Sequence, residues 1–277
     1  MTNSLAKVLI TGGNGQIAHS LARHPLKSSL QLISCSRKDL DITNIDSIQN
    51  EIEKYHPSII INTAAYTAVD KAESERELAK RANVDGTENL AKLAAKHNII
   101  LIQLSSDYVF DGSKKAPYKE DDATNPINYY GLTKWQAEEM VRAHCEKHFI
   151  LRVSGVFSAY GNNFYNTIQK LSASKQPLRI VADQITCPTY ADDIAGALLT
   201  IAKKPEQFGT YHFCSTPPVS WHHFAEVILQ ESITAITTAE YPTAAKRPSY
   251  SALDCEKIEK AFGIKQPSWE RAIWALQ

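Results

Sequence analysis

Five short runs in the first 157 residues are apolar on successive positions: 8–11, 30–36, 58–65, 99–105 and 149–157. Ile59, Ile60 and Ile61 show the pattern most plainly. A strand with one wet face alternates apolar and polar residues, whereas a strand buried on both faces does not. These runs therefore predict strands of a parallel sheet covered on both sides. Between them, apolar residues recur every three or four positions. Residues 79–97 carry Leu90, Leu93 and Ala94 at helical spacing, and residues 129–148 carry Trp135, Ala137 and Val141. This βαβα rhythm predicts right-handed crossovers and a Rossmann-type, doubly wound parallel α/β sheet. Ligands bind such sheets beyond the carboxyl ends of the strands. The residues that follow each run are thus the ones to inspect for chemistry.

After Phe157 the texture changes. Pro177, Pro188, Pro205, Pro217, Pro218, Pro242 and Pro248 interrupt the chain, and helices are expected at 167–174, 191–203, 221–231 and 254–262. The expected division is a dinucleotide-binding domain over 1–157 and a smaller, mixed substrate-binding lobe over 158–277. Late elements are expected to interleave with the first unit, with a strand at 210–215 returning to the main sheet.

The chain has 277 residues, 43% of them hydrophobic, which is enough for a sizeable core. Thirty basic and thirty acidic residues cancel, so no broad field attracts nucleic acid or a membrane surface. The five cysteines are odd in number and none are spaced as CxxC, which points away from a disulfide framework or structural zinc and towards a reducing cytosol. The start, MTNSLAKVLITGG, is too short in apolar residues for a secretory or spanning segment, so a cytoplasmic location is expected.

The first run ends in Thr11-Gly-Gly-Asn-Gly-Gln-Ile-Ala18. Gly12 and Gly15 stand three apart, with Ala18 where a third small residue is expected. Such a turn lets backbone N–H groups approach a pyrophosphate at a helix N-terminus. The spacing is GxxGxxA rather than GxGxxG, so its place after the first strand carries most of the weight. The second run ends with Ser36 and Arg37, where an NAD site usually has an acid. A guanidinium pairs with a 2′-phosphate, so NADPH is the expected cofactor, and nearby Asp39 and Asp41 keep NADH open.

Of twelve tyrosines, only Tyr130 has a lysine four residues later. On a helix Tyr130 and Lys134 share a face. A free phenol has a pKa near ~10, and a neighbouring ammonium would lower it and suit the phenol to proton transfer with a carbonyl. Ser105 and Ser106 close the fourth run, where one hydroxyl would hold the reacting oxygen. Ser106 is favoured. Ser106, Tyr130 and Lys134 are the expected catalytic trio.

Several stretches then resemble the dTDP-4-dehydrorhamnose reductase family of the extended short-chain dehydrogenase/reductases: Asn62-TAAYTAVDKAE-Ser74, Asn83-VDGTENLA-Lys92, Leu104-SSDYVFDG-Ser113, Pro126-INYYGLTKWQAE-Glu139, Asp183-QITCPTYADDIA-Gly196 and Arg247-PSYSALD-Cys255. The resemblance runs from Val8 to about Gly263. It implies reduction by NADPH of the C4 keto group of a nucleotide-linked 4-keto-6-deoxysugar, in a homodimer. It implies that Gly15, Gln16 and Ile17 wrap the pyrophosphate, that Asp41 and Ile42 flank the adenine, and that Ala64, Ala65, Tyr66 and Thr67 line the cofactor ribose. It matches the family's threonine–aspartate pair to Ser106 and Asp107, and it places Val69, Asn163 and Gln184 near the sugar nucleotide. Relatives commonly carry tryptophan where this chain has Gly155, which implies a differently shaped sugar pocket. A reductase or epimerase for another nucleotide sugar, on a dihydrostreptose-like route, and a non-enzymatic dinucleotide-binding regulatory subunit are the alternatives. His144 and His148 lack the HExxH pattern, Asp192-Asp193 reads as a helix start, and no cluster calls for a metal.

Overall fold

The computed structural model describes residues 5–173 and 177–277. The end of the expected helix 167–174, at Ser174, and the first four residues lie outside them. Six strands form the central sheet: β1 (Ala6–Thr11), β2 (Leu30–Ser34), β3 (Ile59–Asn62), β4 (Ile100–Ser106), β5 (His148–Val153) and β6 (Gly209–Phe213). Their order is β6-β5-β4-β3-β1-β2, and every pairing is parallel. The chain steps outward from β1 to β2, then crosses back to β3 and continues the other way. That reversal opens a crevice beside the carboxyl ends of β1 and β3.

The consecutive apolar residues now have a structural reason. Val8, Ile10, Ile59, Ile61, Ile102 and Leu104 pack on one face with helices α1 (Gln16–Arg23) and Ala191–Lys203. Leu9, Ile60, Leu101 and Ile150 pack on the other with α2 (Ile45–Tyr55) and α3 (Gly86–Lys96). Neither face meets water, so each fully buried isoleucine contributes about 1.5–3 kcal/mol. The late strand expected at 210–215 is β6, alongside β5. A third cluster joins Phe157, Tyr165, Val219, Phe224, Trp269 and Ile273 in a separate lobe. Residues beyond 157 thus divide between two cores, since Ile194, Leu198, Phe213, Leu253 and Ile258 pack in the first.

Two expected elements are broken, each for a local reason. The run 149–157 splits because Gly155 takes φ +50 and turns the chain off the sheet into the short strand Val156–Phe157. The helical pattern 79–97 resolves into Arg76–Lys80, a π-helical turn at Arg81–Asp85, and α3. The expected helix 129–148 is α4 (Tyr129–His144), capped by Asn128, whose Oδ1 accepts the Gly131 N–H at 2.7 Å.

Candidate active site

β1 ends at Thr11 and α1 begins at Gln16, with the glycine turn between them. Gly12 has φ +68, and a Cβ there would lie 2.8 Å from Ala64 Cα. The turn is therefore seated directly on the segment leaving β3, at the crossover. Gly15 caps α1 with no side-chain hydrogen bond. The amides at Gln16 and Ile17 begin the helix, at the positive end of its dipole. Glycine-lined backbone at an N-terminus without a side-chain cap fits a pyrophosphate.

β2 delivers Ser36 and Arg37 to the same place, because Gly13 N–H donates to the Cys35 carbonyl at 2.8 Å. The two acids that kept NADH open are engaged locally. Asp39 accepts the Ser36 N–H and hydroxyl at 2.9 and 2.7 Å. Asp41 accepts the Thr43 N–H and hydroxyl at 3.0 and 2.9 Å. The Arg37 side chain is 80% exposed, with a loose 3.5 Å ion pair to Asp41. It suits a 2′-phosphate better than a ribose hydroxyl. Ile42 is buried and fills the space beside Gly86.

A buried row of polar side chains runs across the strand ends. Thr11, Asn62 and Gln103 are paired in register on β1, β3 and β4. The Thr11 hydroxyl donates to Asn62 Oδ1 at 2.5 Å, Asn62 Nδ2 donates to Gln103 Oε1 at 2.7 Å, and Gln103 Nε2 donates to the Leu104 carbonyl at 2.8 Å. Lys134 Nζ donates to that same carbonyl at 2.7 Å. Asn83, in the π turn, ties the segment after β3 to α4. Its Oδ1 accepts the Tyr66 N–H, and its Nδ2 donates to the Tyr66 carbonyl and the Thr133 hydroxyl on α4. Ala64 and Ala65 leave β3 beside it. The Tyr66 hydroxyl donates to Glu75, Thr67 is exposed, and Val69 begins the short helix Val69–Ala72.

The two serines ending β4 point to opposite faces. The Ser105 hydroxyl donates to Glu138 Oε1 at 2.6 Å, away from Tyr130. The Ser106 hydroxyl lies against the Tyr130 phenol and bonds Asp107 Oδ1 at 3.0 Å. Burial pushes the Tyr130 phenol up to about 12, the Ser106 hydroxyl opposes this, and the Asp107 charge adds to it. The expected lowering by Lys134 is not among these influences. The phenol is thus fully protonated at neutral pH, the form a proton donor needs. Burial brings Lys134 down to about 8, with the Glu138 carboxylate one turn later pulling it back up. Burial also opposes ionisation of Glu138. Bonds from Arg152 and Ser105, and the charges of Arg152 and Arg142, nevertheless hold its carboxyl below the usual range.

The lobe-side residues are placed less closely together. Asn163 Nδ2 donates to Gln16 Oε1 at 3.2 Å, which ties the 158–163 loop to the glycine turn. Gln184 is buried and donates to Thr238 within the lobe at 3.0 Å. Gly155 lies under Pro188, whose Cα would be 3.0 Å from an added Cβ. Sequence reasoning gave no role to Asn62, Asn83, Gln103, Glu138 or Arg152. The available signal was a polar or charged residue inside a buried run, as Arg152 is in β5. Among the described residues no group of three or more His, Cys, Asp or Glu side chains is arranged to hold a metal, and no helix is long and apolar enough to cross a membrane.

The sequence profile of the family described as RmlD substrate binding domain matches residues 6–276. A dTDP-4-dehydrorhamnose reductase of Aggregatibacter actinomycetemcomitans is 42% identical, over 97% of this chain and 97% of that protein. Its counterpart in Sinorhizobium fredii is 40% identical, over 98% and 97%. Among solved structures, a dTDP-4-dehydrorhamnose reductase of Bacillus anthracis in complex with NADP superposes with a TM-score of 0.93. It is 35% identical and covers 98% of each chain.

Proposed function

Because the chain belongs to the RmlD substrate binding domain family, we propose that it is an NADPH-dependent reductase of the C4 keto group of a nucleotide-linked 4-keto-6-deoxysugar, converting dTDP-4-dehydro-L-rhamnose to dTDP-L-rhamnose. The observation that carries the reading is local. A protonated phenol and a strand-end hydroxyl stand together, with a buried lysine one helical turn after the phenol, at the carboxyl ends of the strands where the glycine turn also sits. NADPH, when bound, supplies the hydride.

The chain's own residues do the rest. The Tyr130 phenol gives its proton to the oxygen as it becomes an alkoxide. The Ser106 hydroxyl donates a hydrogen bond to the same oxygen, where charge develops. Lys134 gives one N–H to Leu104 and keeps a positive charge close to the reacting groups. Arg37 selects the phosphorylated cofactor. Val69, Asp107, Asn163, Gln184 and the surface over Gly155 belong to the sugar-nucleotide side in this reading. The domain division at 157, a cytoplasmic location and a homodimer are part of the same proposal; sedimentation of the purified chain tests the last.

The test is NADPH oxidation driven by dTDP-4-dehydrorhamnose made in a coupled assay. Tyr130→Phe is expected to lose about 10²–10⁴-fold in turnover while still binding NADPH. A variant that kept the wild-type rate would remove Tyr130 from the chemistry. Sustained net consumption of NADPH separates a reductase from an epimerase, which regenerates its cofactor. No acceleration by any 4-keto sugar nucleotide would favour a binding subunit.

A further inference from the structure

The chain that turns off the sheet at Gly155 comes back across the glycine turn. Residues 158–163 follow the short strand Val156–Phe157 and lie against α1. The helix offers them one polar face. Gln16, His19 and Arg23 stand three and four apart, so their side chains line up, while Ala18 and Leu21 pack into the core. Gln16 Oε1 accepts from Asn163 Nδ2 at 3.2 Å and lies 2.9 Å from the Ser158 hydroxyl. The Tyr160 ring stacks on His19, with centroids 4.1 Å apart and planes at 29°. Arg23 donates to the Tyr160 hydroxyl. Gly161, at φ +73, passes close to the same helix start: a Cβ there would stand 4.0 Å from Gln16 Cβ.

The loop holds its own shape. Asn163 Nδ2 donates to the Ser158 and Tyr160 carbonyls, each at 3.0 Å. Asn166 Nδ2 donates to the Ser158 and Gly161 carbonyls at 3.2 and 3.0 Å, and the Asn166 N–H donates to Asn163 Oδ1 at 3.0 Å. These bonds do not involve α1, so the loop can swing away from the helix as one piece. The contacts with α1 farthest along the helix are of a weaker kind. Tyr160, His19 and Arg23 are all exposed. An exposed stack and an exposed hydrogen bond open at little cost. Both partners in every contact are protein groups, so the contacts form with or without cofactor.

We propose, on the basis of the pyrophosphate placement above, that residues 158–163 are a strap closed over the start of α1, latched by Tyr160 on His19 and Arg23, whose opening gates NADPH in both directions. Gln16 is the residue the strap holds, and its amide is one of those that face the pyrophosphate in that reading. The middle of the dinucleotide then enters and leaves only when the latch is open. Asn163, on the sugar-nucleotide side, belongs to the same strap, so the two ligand sides share one moving part.

Stopped-flow mixing that follows NADPH fluorescence, with no sugar present, tests this. Tyr160→Ala removes both latch contacts at an exposed position. It should raise the association and dissociation rates together, each about tenfold, the size set by one stacked ring pair and one hydrogen bond, and leave Kd within about threefold of wild type. Adding His19→Ala to Tyr160→Ala should change the rates no further, because the two residues make one contact. Asn162→Ala, elsewhere on the exposed part of the loop, should leave both rates as they are. Tyr160→Ala rates within about twofold of wild type would overturn the proposal. So would a rise in dissociation alone, which makes Tyr160 a cofactor contact and not a latch. A wild-type chain that takes up no NADPH would fault the cofactor placement and the strap together. Gated NADPH binding without sugar reduction would fault the reductase reading alone.

Discussion

Glu138 is the position where stability and chemistry meet. Its carboxylate is fully buried and accepts from Arg152 Nε at 2.9 Å and the Arg152 terminal nitrogen at 2.7 Å, from Arg142 at 2.8 Å and from Ser105 at 2.6 Å. Arg152 is itself 2% exposed. Glu138→Gln leaves that guanidinium buried without its anion and turns an N–H group toward it. Removing one partner of a buried pair costs about 3–5 kcal/mol, much of it the uncompensated charge. At about 2–4 °C per kcal/mol for a chain of this size, the melting temperature should fall by roughly 6–20 °C. The assay is thermal unfolding followed by circular dichroism at pH 7. Glu138→Leu combined with Arg152→Met removes both charges and should unfold at a higher temperature than Glu138→Gln. A single-variant loss under about 1 kcal/mol, in the range of an exposed pair, would refute the reasoning. So would a double variant less stable than the single. The same substitution should move the pH optimum down. Without the Glu138 carboxylate, Lys134 falls below about 8 and loses its charge at lower pH.

Arg37→Ala is expected to raise KM for NADPH by roughly ten- to a hundredfold, the loss of one charged hydrogen bond, with little effect on NADH; steady-state rates with both cofactors check it. His212 contributes to acid sensitivity. Its Nε2 faces an Arg152 N–H at 3.2 Å and its Nδ1 faces the Tyr118 carbonyl at 3.0 Å, so the buried ring is neutral, and burial lowers its pKa from 6.5 to about 3. The unfolded chain therefore binds the proton first, and stability falls as pH drops from about 6.5 towards 3, by up to about 4–5 kcal/mol for this group. His212→Gln should flatten that part of the pH–stability curve measured by urea unfolding. Gly155→Ala should cost about 1–2 kcal/mol from its left-handed backbone alone, read as a lower urea midpoint.

The strands were legible because burial on both faces leaves a plain mark in composition. Their ends were less so. The run 58–65 stops as a strand at Asn62, where the side chain turns to Thr11 and Gln103 and the backbone leaves the sheet. The Tyr130–Lys134 spacing pointed to the helix face. It did not reveal that Lys134 is anchored by a main-chain carbonyl, since backbone acceptors have no signature in side-chain identity. Ser106 and Ser105 differ only by strand parity, and parity shows which two faces exist but not which one meets the phenol. Asn83 was out of reach for another reason. A regular helix over 79–97 would have placed it differently, and the π turn at Arg81–Asp85 is what brings it to Tyr66 and Thr133.

Gly155 changes how the proposed sugar pocket should be understood. A missing tryptophan suggests a hole of indole shape, one that a larger substrate group could fill. The backbone says otherwise. At φ +50, with Pro188 Cα 3.0 Å from where a Cβ would stand, this position does not accept a side chain without movement of the main chain or of the segment carrying Pro188. That segment is tied to Asp107 through Thr186 and Ser154. In the proposed site the wall at this position is therefore main chain plus Pro188, not a relative's wall with one piece removed. If Gly155 borders the sugar, as proposed above, substrate selection there follows from the path of the backbone. It should be tested by varying Pro188 and Gly155 together, because a tryptophan placed at 155 alone would displace the strand end that holds Asp107.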